Sequence, residues 1–336
     1  MSSQVRQSES ALSSKLPSAA TLGAAAGSDA VAVALTSALL AVRASEPMVA
    51  VVPAQAGGDE ALPCTSFFPV EHGSLEGGVR ACVRAQTGVD LRFLEQLCTS
   101  GATREDTGPH VVSVSYLALV DPSQCNDRTR ATWRSWYSFL PWEDWRNGRP
   151  DCLNDIEPRL EAWAESNGAQ AFDWTPDDRR QRIRVAFCGG GVPWDEEKAA
   201  ERYQVLCDAG VVGPASDSAI VRRLPRLMHP VLGDQSWVLA RAIGELRRAI
   251  KYRPLVFELM HEEFTLFELQ RTVEAILGPH LHKQNFRRLV EGSGLVEPTG
   301  GLRLRTGGRP AQLYRFRRDV IYERAAPGVR LRPGRV

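Results

Sequence analysis

The 336-residue chain lacks any Cys-x-x-Cys pair, although it holds seven cysteines: Cys64, Cys82, Cys98, Cys125, Cys152, Cys188 and Cys207. An odd count without paired spacing excludes a disulfide or zinc framework and argues for reduced thiols in a cytoplasmic setting. Long hydrophobic runs are missing too. Residues 31–42 are mostly apolar but contain Thr36 and Ser37. They are too few to span a bilayer, and no basic stretch marks a cleavable signal ahead of them. They read instead as a buried strand pair, with no membrane partner. Gly189-Gly190-Gly191 has no Gly-Lys-Ser/Thr after it, so it is a flexible connection rather than a phosphate loop. No Gly-x-Ser-x-Gly supplies a serine nucleophile. His280 and His282 stand without a third ligand nearby, so no metal site is expected.

A large net charge is also absent, at +1 overall, but the balance is uneven along the chain. Residues 241–336 carry 19 Lys/Arg against 10 Asp/Glu, and residues 1–240 carry 22 against 30. A basic C-terminal module on an acidic body points to a polyanion partner for that module alone.

That module reads as a winged helix-turn-helix over residues 252–320. Thr265 is an N-cap and Glu268 its capping-box partner. Leu266, Leu269, Val273 and Leu277 make one apolar helical face, which Gly278-Pro279 ends. A second helix is expected from about Lys283 to Glu291, with Phe286, Leu289 and Val290 on its inner side. Leu295 to Pro298 and Gln312 to Phe316 read as strands flanking a glycine-rich wing, Thr299 to Arg309. The outer side of the second helix offers Lys283, Gln284, Asn285, Arg287 and Arg288, and the wing offers Arg305 and Arg309. Long polar and cationic side chains in that arrangement suit base edges and phosphates of double-stranded DNA.

Ahead of this module, residues 1–28 lack aromatics and are rich in Ser, Ala and Gly, so a disordered tail is expected. Residues 321–336 read as a basic tail. Between them, Asp29 to Val52 predicts strands broken by a turn at Arg43 to Pro47. Leu75 to Gly88 predicts a helix capped by Gly88, and Val111 to Val120 a strand. Residues 125–225 hold the cluster Trp133, Trp136, Tyr137, Phe139, Trp142 and Trp145, which suits either local core, a subunit contact or an adenine stack. Then come a candidate strand, Ile183 to Phe187, and a helix, Trp194 to Ala209. A long helix from Asp234 to Lys251, with Trp237, Leu239, Ile243 and Leu246, is expected to form a dimer face together with the 194–209 helix.

The stretch Leu75 to Val89, LEGGVRACVRAQTGV, resembles a Nudix box, the loop-helix-loop of nucleoside-diphosphate-X hydrolases. Anchored on Gly88-Val89, the box arginine falls on Ala81, its three glutamates on Cys82, Ala85 and Gln86, and an earlier glutamate on Gly73. A hard divalent cation needs several oxygen ligands. Glu76 is the one carboxylate on this helix, so no catalytic residue is assigned.

Together with Phe257-Glu258-Leu259, Glu263 to Leu266, Glu268 to Gln270, Asn285 to Arg288 and Gly308 to Ala311, the chain resembles the Nudix-related regulators of NAD metabolism, NadQ- and NrtR-like. The resemblance implies an α+β protein. Its first part is a Nudix-like α/β/α sandwich over residues 29–251 with a large insertion at about 125–225, followed by the winged helix. It further implies a homodimeric repressor of NAD-biosynthesis genes on a palindromic operator. No cofactor is required. An adenine-nucleotide effector, ATP, NAD or ADP-ribose, is expected at Phe67, Phe68, Arg80, Arg104 and Tyr116, chosen by their place around the box. The alternative is an active Nudix hydrolase of ADP-ribose-like substrates with an autoregulatory DNA-binding domain.

Overall fold

The computed structural model describes residues 31–54, 59–102, 110–125, 129–166, 174–189, 191, 193–213, 216, 220–229, 233–304 and 310–320. Both predicted tails, Arg104, Arg305 and Arg309 lie outside these residues.

The apolar run that opens the described chain is a single strand, β1 (Val31–Arg43), followed by β2 (Glu46–Pro53). The two join through Ala44 and Ser45, both at positive φ, so the expected turn is a tight hairpin. On its other edge β1 runs parallel to β6 (His110–Leu119). The path of the sheet is β3-β2-β1-β6-β5, where β3 is Glu60–Ala61 and β5 is Phe93–Ala102. β4 (Cys64–Ser66) pairs with the start of β1, and β7 (Thr132–Ser135) with β2.

Side chains alternate across a strand, and β1 is apolar on both faces because both are covered. Leu35, Leu39 and Ala41 pack with Val79 and Val83 of helix α1 (Leu75–Thr87). Ala38, Leu40 and Val42 belong to the larger cluster on the opposite face. The predicted α/β/α sandwich follows, with α1 as one outer layer.

The 125–225 region builds much of the other layer. After β7, Trp136, Tyr137, Phe139 and Trp142 are buried in the larger cluster, so the aromatic run is core. Helices α2 (Leu153–Glu165), α3 (Pro176–Phe187) and α4 (Ala199–Asp208) follow. Ile183 to Phe187 is therefore helical, not a strand. Thr175 and Asp178 form a reciprocal capping box with Pro176 at the first turn, and this start signal outweighs the β-prone residues downstream. The 194–209 helix begins as a short 3-10 turn, Glu196–Lys198, before α4.

Helix α5 (Ser236–Tyr252) fills the sandwich from within the same chain. Leu239, Ile243 and Leu246 are fully buried there, so the face expected to meet a second subunit is already occupied. Tyr203, Val205 and Leu206 of α4 are likewise buried. An apolar stripe has the same period whether it meets its own sheet or a partner.

At the junction of these helices lies a fully buried carboxylate, Glu143. Arg202 holds it through two hydrogen bonds of 2.6 and 2.8 Å, and Arg247 adds another of 2.6 Å. Both arginines are also fully buried. Burial alone would raise the Glu143 pKa, but the two guanidinium groups outweigh it and hold the carboxyl below its ordinary range.

Two short strands, β8 (Met228–His229) and β9 (Gly233–Asp234), precede α5. The C-terminal module then forms with the expected two helices and two strands, except that the first strand runs on through Thr299 to Arg303, residues read as wing. Helix α6 (Leu266–Leu277) starts at the Thr265–Glu268 capping box, and α7 (Lys283–Ser293) follows. β10 (Val296–Arg303) and β11 (Ala311–Phe316) form an antiparallel wing stem. Gly278 ends α6 at φ 99°, where a Cβ would lie 3.3 Å from Trp145 Cβ. Gly278→Ala is expected to cost about 1–3 kcal/mol in urea unfolding, from backbone strain at that φ.

Candidate functional site

Helix α7 is two-faced. Phe286 and Val290 are buried in the core while Lys283, Gln284, Asn285, Arg287 and Arg288 are exposed. Among the described residues, no side-chain hydrogen bond or ion pair engages Lys283, Gln284, Asn285 or Arg288. Arg287 differs: its Nε donates to Glu291 Oε1 at 2.9 Å, and that bond raises its pKa further.

The turn before α7 is clamped by two nearly buried side chains of α6. Glu274 Oε1 accepts from Leu281 N at 2.9 Å, and Gln270 Nε2 donates to the Leu281 carbonyl at 2.9 Å. Burial would raise the Glu274 pKa, yet these donors and His280 hold it below its ordinary value. The wing is tied to the same helix. Arg303 Nη1 donates to Glu268 Oε1 at 2.7 Å, and Phe264 and Tyr314 exchange backbone hydrogen bonds of 3.0 and 2.8 Å. Arg303 was not among the residues expected from the sequence. Its alternation with Leu302 and Leu304 along the wing was the available signal.

The box helix α1 also has its expected ends. Ser74 Oγ accepts from Gly77 N at 3.0 Å, and Gly88 closes the helix in the left-handed region. The positions that the box resemblance assigns to carboxylates serve other purposes or none. Gln86 ties α1 to β4, accepting from Cys64 N at 3.2 Å and donating to Cys64 O at 2.8 Å. Ala85 is exposed. Burial pushes the Cys64 thiol up to about 12, and burial followed by the Cys64 charge raises Cys82 as well. Neither behaves as a ready thiolate. All seven cysteines are free.

Of the five residues assigned to a nucleotide, Phe67 and Phe68 come together with a third ring, His72, at centroid distances of 5.8 and 6.0 Å. His72 Nδ1 accepts from Phe68 N at 3.1 Å. A Cβ on Gly77 would meet the His72 carbonyl at 2.4 Å, so the start of α1 lies directly on this turn. Sequence reading passed over His72. Arg80 sits on α1, but its guanidinium is held by Glu76 at 2.7 and 3.0 Å and by the Leu91 carbonyl at 2.6 Å. Tyr116 is buried in the core on the α1 side of the sheet, and burial raises its pKa.

Comparison with known proteins bears on both halves. Residues 256–316 match the NrtR DNA-binding winged helix domain. Over 83 residues the chain is 45% identical to the ADPR responsive transcriptional repressor NtrR of Acinetobacter baylyi, covering 25% of this chain. The match spans about a third, 33%, of that relative's length. The crystal structure of Shewanella oneidensis NrtR complexed with a 27mer DNA superposes with a TM-score of 0.51 at 20% identity. The alignment covers 86% of this chain and 95% of that one. A second crystal structure of Shewanella oneidensis NrtR gives 0.50 at 21% identity, over 85% of this chain and 94% of that one. At such identity the likeness is one of fold. In its C-terminal module and in its overall fold, the chain resembles the Nudix-related, NrtR-like regulators.

Proposed function

We propose that the protein is a DNA-binding transcriptional repressor whose sandwich domain senses an adenine nucleotide, ADP-ribose foremost, without hydrolysing it. The observation that carries this reading is the outer face of α7. Four polar or cationic side chains there are exposed and unengaged among the described residues, within a module that matches a DNA-binding winged helix. ADP-ribose takes precedence over ATP and NAD because the Acinetobacter relative is an ADPR responsive repressor. Genes of NAD biosynthesis are the proposed targets. Two copies related by a two-fold axis would read a palindrome with half-sites about one helical turn apart.

An electrophoretic shift on the DNA upstream of its own gene tests the reading. ATP, NAD and ADP-ribose are added in parallel, and no shift under any condition would reject it.

For the sensor, calorimetry is expected to give micromolar-range binding of ADP-ribose, with no product formed on adding magnesium. The box positions carry glycine, cysteine, alanine and glutamine, which offer a cation no carboxylate. Rapid turnover would restore the hydrolase reading. For the wing, Arg305→Ala with Arg309→Ala is expected to weaken binding on all sequences and to flatten its salt dependence. An unchanged salt slope would remove both from the interface.

A further inference from the structure

Helix α6 ends at Gly278-Pro279, and that ending leaves the buried Ala275 and Ile276 carbonyls without a partner inside the helix. In an unbroken helix the Ala275 carbonyl would accept from residue 279, but Pro279 has no N–H. The sandwich domain fills these vacancies. Tyr137 Oη donates to Ala275 O at 2.9 Å, and Arg247 Nε donates to Ile276 O at 2.8 Å. Among the described residues, these are the hydrogen bonds that cross from the sandwich body to α6. Both donors are themselves fixed. Arg247 spans Glu143 Oε2 at 2.6 Å, Glu196 O at 3.1 Å and Glu143 O at 3.2 Å. Tyr137 lies under Arg146, whose guanidinium is 4.7 Å from the ring centroid and reaches Glu46 at the β1–β2 hairpin at 2.5 Å. From α6 the Glu274–Gln270 clamp on Leu281 leads into α7.

We propose that Tyr137 and Arg247 are positioning residues that seat α6, and through it α7, against the sandwich domain, and that the aromatic insertion exists to hold them there. The chain of contacts runs from Glu46 and Glu143 through Arg146, Tyr137 and Arg247 to two adjacent carbonyls of α6. A hydrogen bond from a buried cation is directional and costly to leave unmade, so the module has one preferred seat. A sensor state that shifts the hairpin or the Glu143 loop reaches α7 through this seat. The regulatory part of this proposal rests on the DNA-binding reading; the anchoring part does not.

The test uses the full chain with Tyr137→Phe and Arg247→Met. In hydrogen exchange, the hydrogen-bonded amides of Gly278 and Leu281 are expected to exchange about tenfold faster in each variant, the size of one hydrogen bond. Amides of β1 stay as in the wild type. Equal acceleration throughout the chain would mean general destabilisation and overturn the anchor, as would no change in either variant. Tyr137→Phe removes a single oxygen and decides the matter if Arg247→Met does not fold. A second readout is affinity for a duplex from the DNA upstream of the gene, with and without ADP-ribose. The wild-type ratio of the two affinities is expected to shrink toward one in both variants. A ratio preserved beside faster exchange overturns the regulatory part alone. A wild type that binds no DNA removes the repressor reading, and the exchange result still decides the anchor.

Discussion

Replacing Glu143 by alanine is expected to lower the free energy of unfolding by about 3–5 kcal/mol. The carboxylate is fully buried between two fully buried arginines. Its removal leaves two guanidinium groups in a core with fewer anionic partners, and burying an uncompensated charge costs more than the pair was worth. Urea unfolding of Glu143→Ala beside a Glu143→Met/Arg202→Met/Arg247→Met triple variant separates the two effects. The triple variant removes all three charges and is expected to lose less than the single variant, its remaining loss coming from carbonyls such as Ile276 O and Ala186 O that the arginines no longer meet. If the single variant lost less than the triple, the charges would not be acting as a compensated set. The pH dependence has a definite sign. The folded-state pKa of Glu143 lies below its ordinary value, so its contribution is full above the unfolded value, about 4.3. It is lost as pH falls from there through the folded value. The wild type should therefore weaken in acid more steeply than Glu143→Met/Arg202→Met/Arg247→Met does.

None of this network was visible in the sequence, and the reason is physical. Glu143, Arg202 and Arg247 are 59 and 45 residues apart in turn. No local period links them, and isolated charges read as surface. What was legible was local. Thr265 and Glu268 are three apart and cap α6; Gly88 ends α1; Phe286 and Val290 are one helical turn apart and face inward. The errors came where one local signal competed with another. Ile183 to Phe187 has β-prone residues, but Thr175-Pro176-Asp177-Asp178 starts a helix that runs through them. The stripe on α5 was real, yet its partner is the sheet of its own chain. In the candidate sites, the exposed face of α7 followed from helical geometry alone. The nucleotide site did not: Arg80 is engaged by Glu76 and Leu91, and His72 stands beside Phe67 and Phe68. Contacts between a strand end and a helix start depend on tertiary placement that spacing does not encode.

Alanine at Arg288 or Gln284 is expected to weaken DNA binding by about tenfold or more and to relax base choice at the positions each one reaches. A good bidentate contact to a purine edge is worth about 1–3 kcal/mol. Both side chains are exposed on the face of α7 opposite Phe286 and Val290, and neither is engaged among the described residues. Neither must break an internal bond to meet a base. Arg287 must: its guanidinium is paired with Glu291 at 2.9 Å, and that exchange offsets part of any contact it makes. Arg287→Ala should therefore cost less than Arg288→Ala, and Glu291→Gln should bring Arg287 closer to Arg288 in effect. Titrations of each variant against the upstream duplex and against singly substituted duplexes measure both quantities. Loss on every sequence alike would make Arg288 a phosphate contact rather than a base reader. Unchanged affinity in the Gln284, Arg287 and Arg288 variants together would remove α7 from the DNA interface.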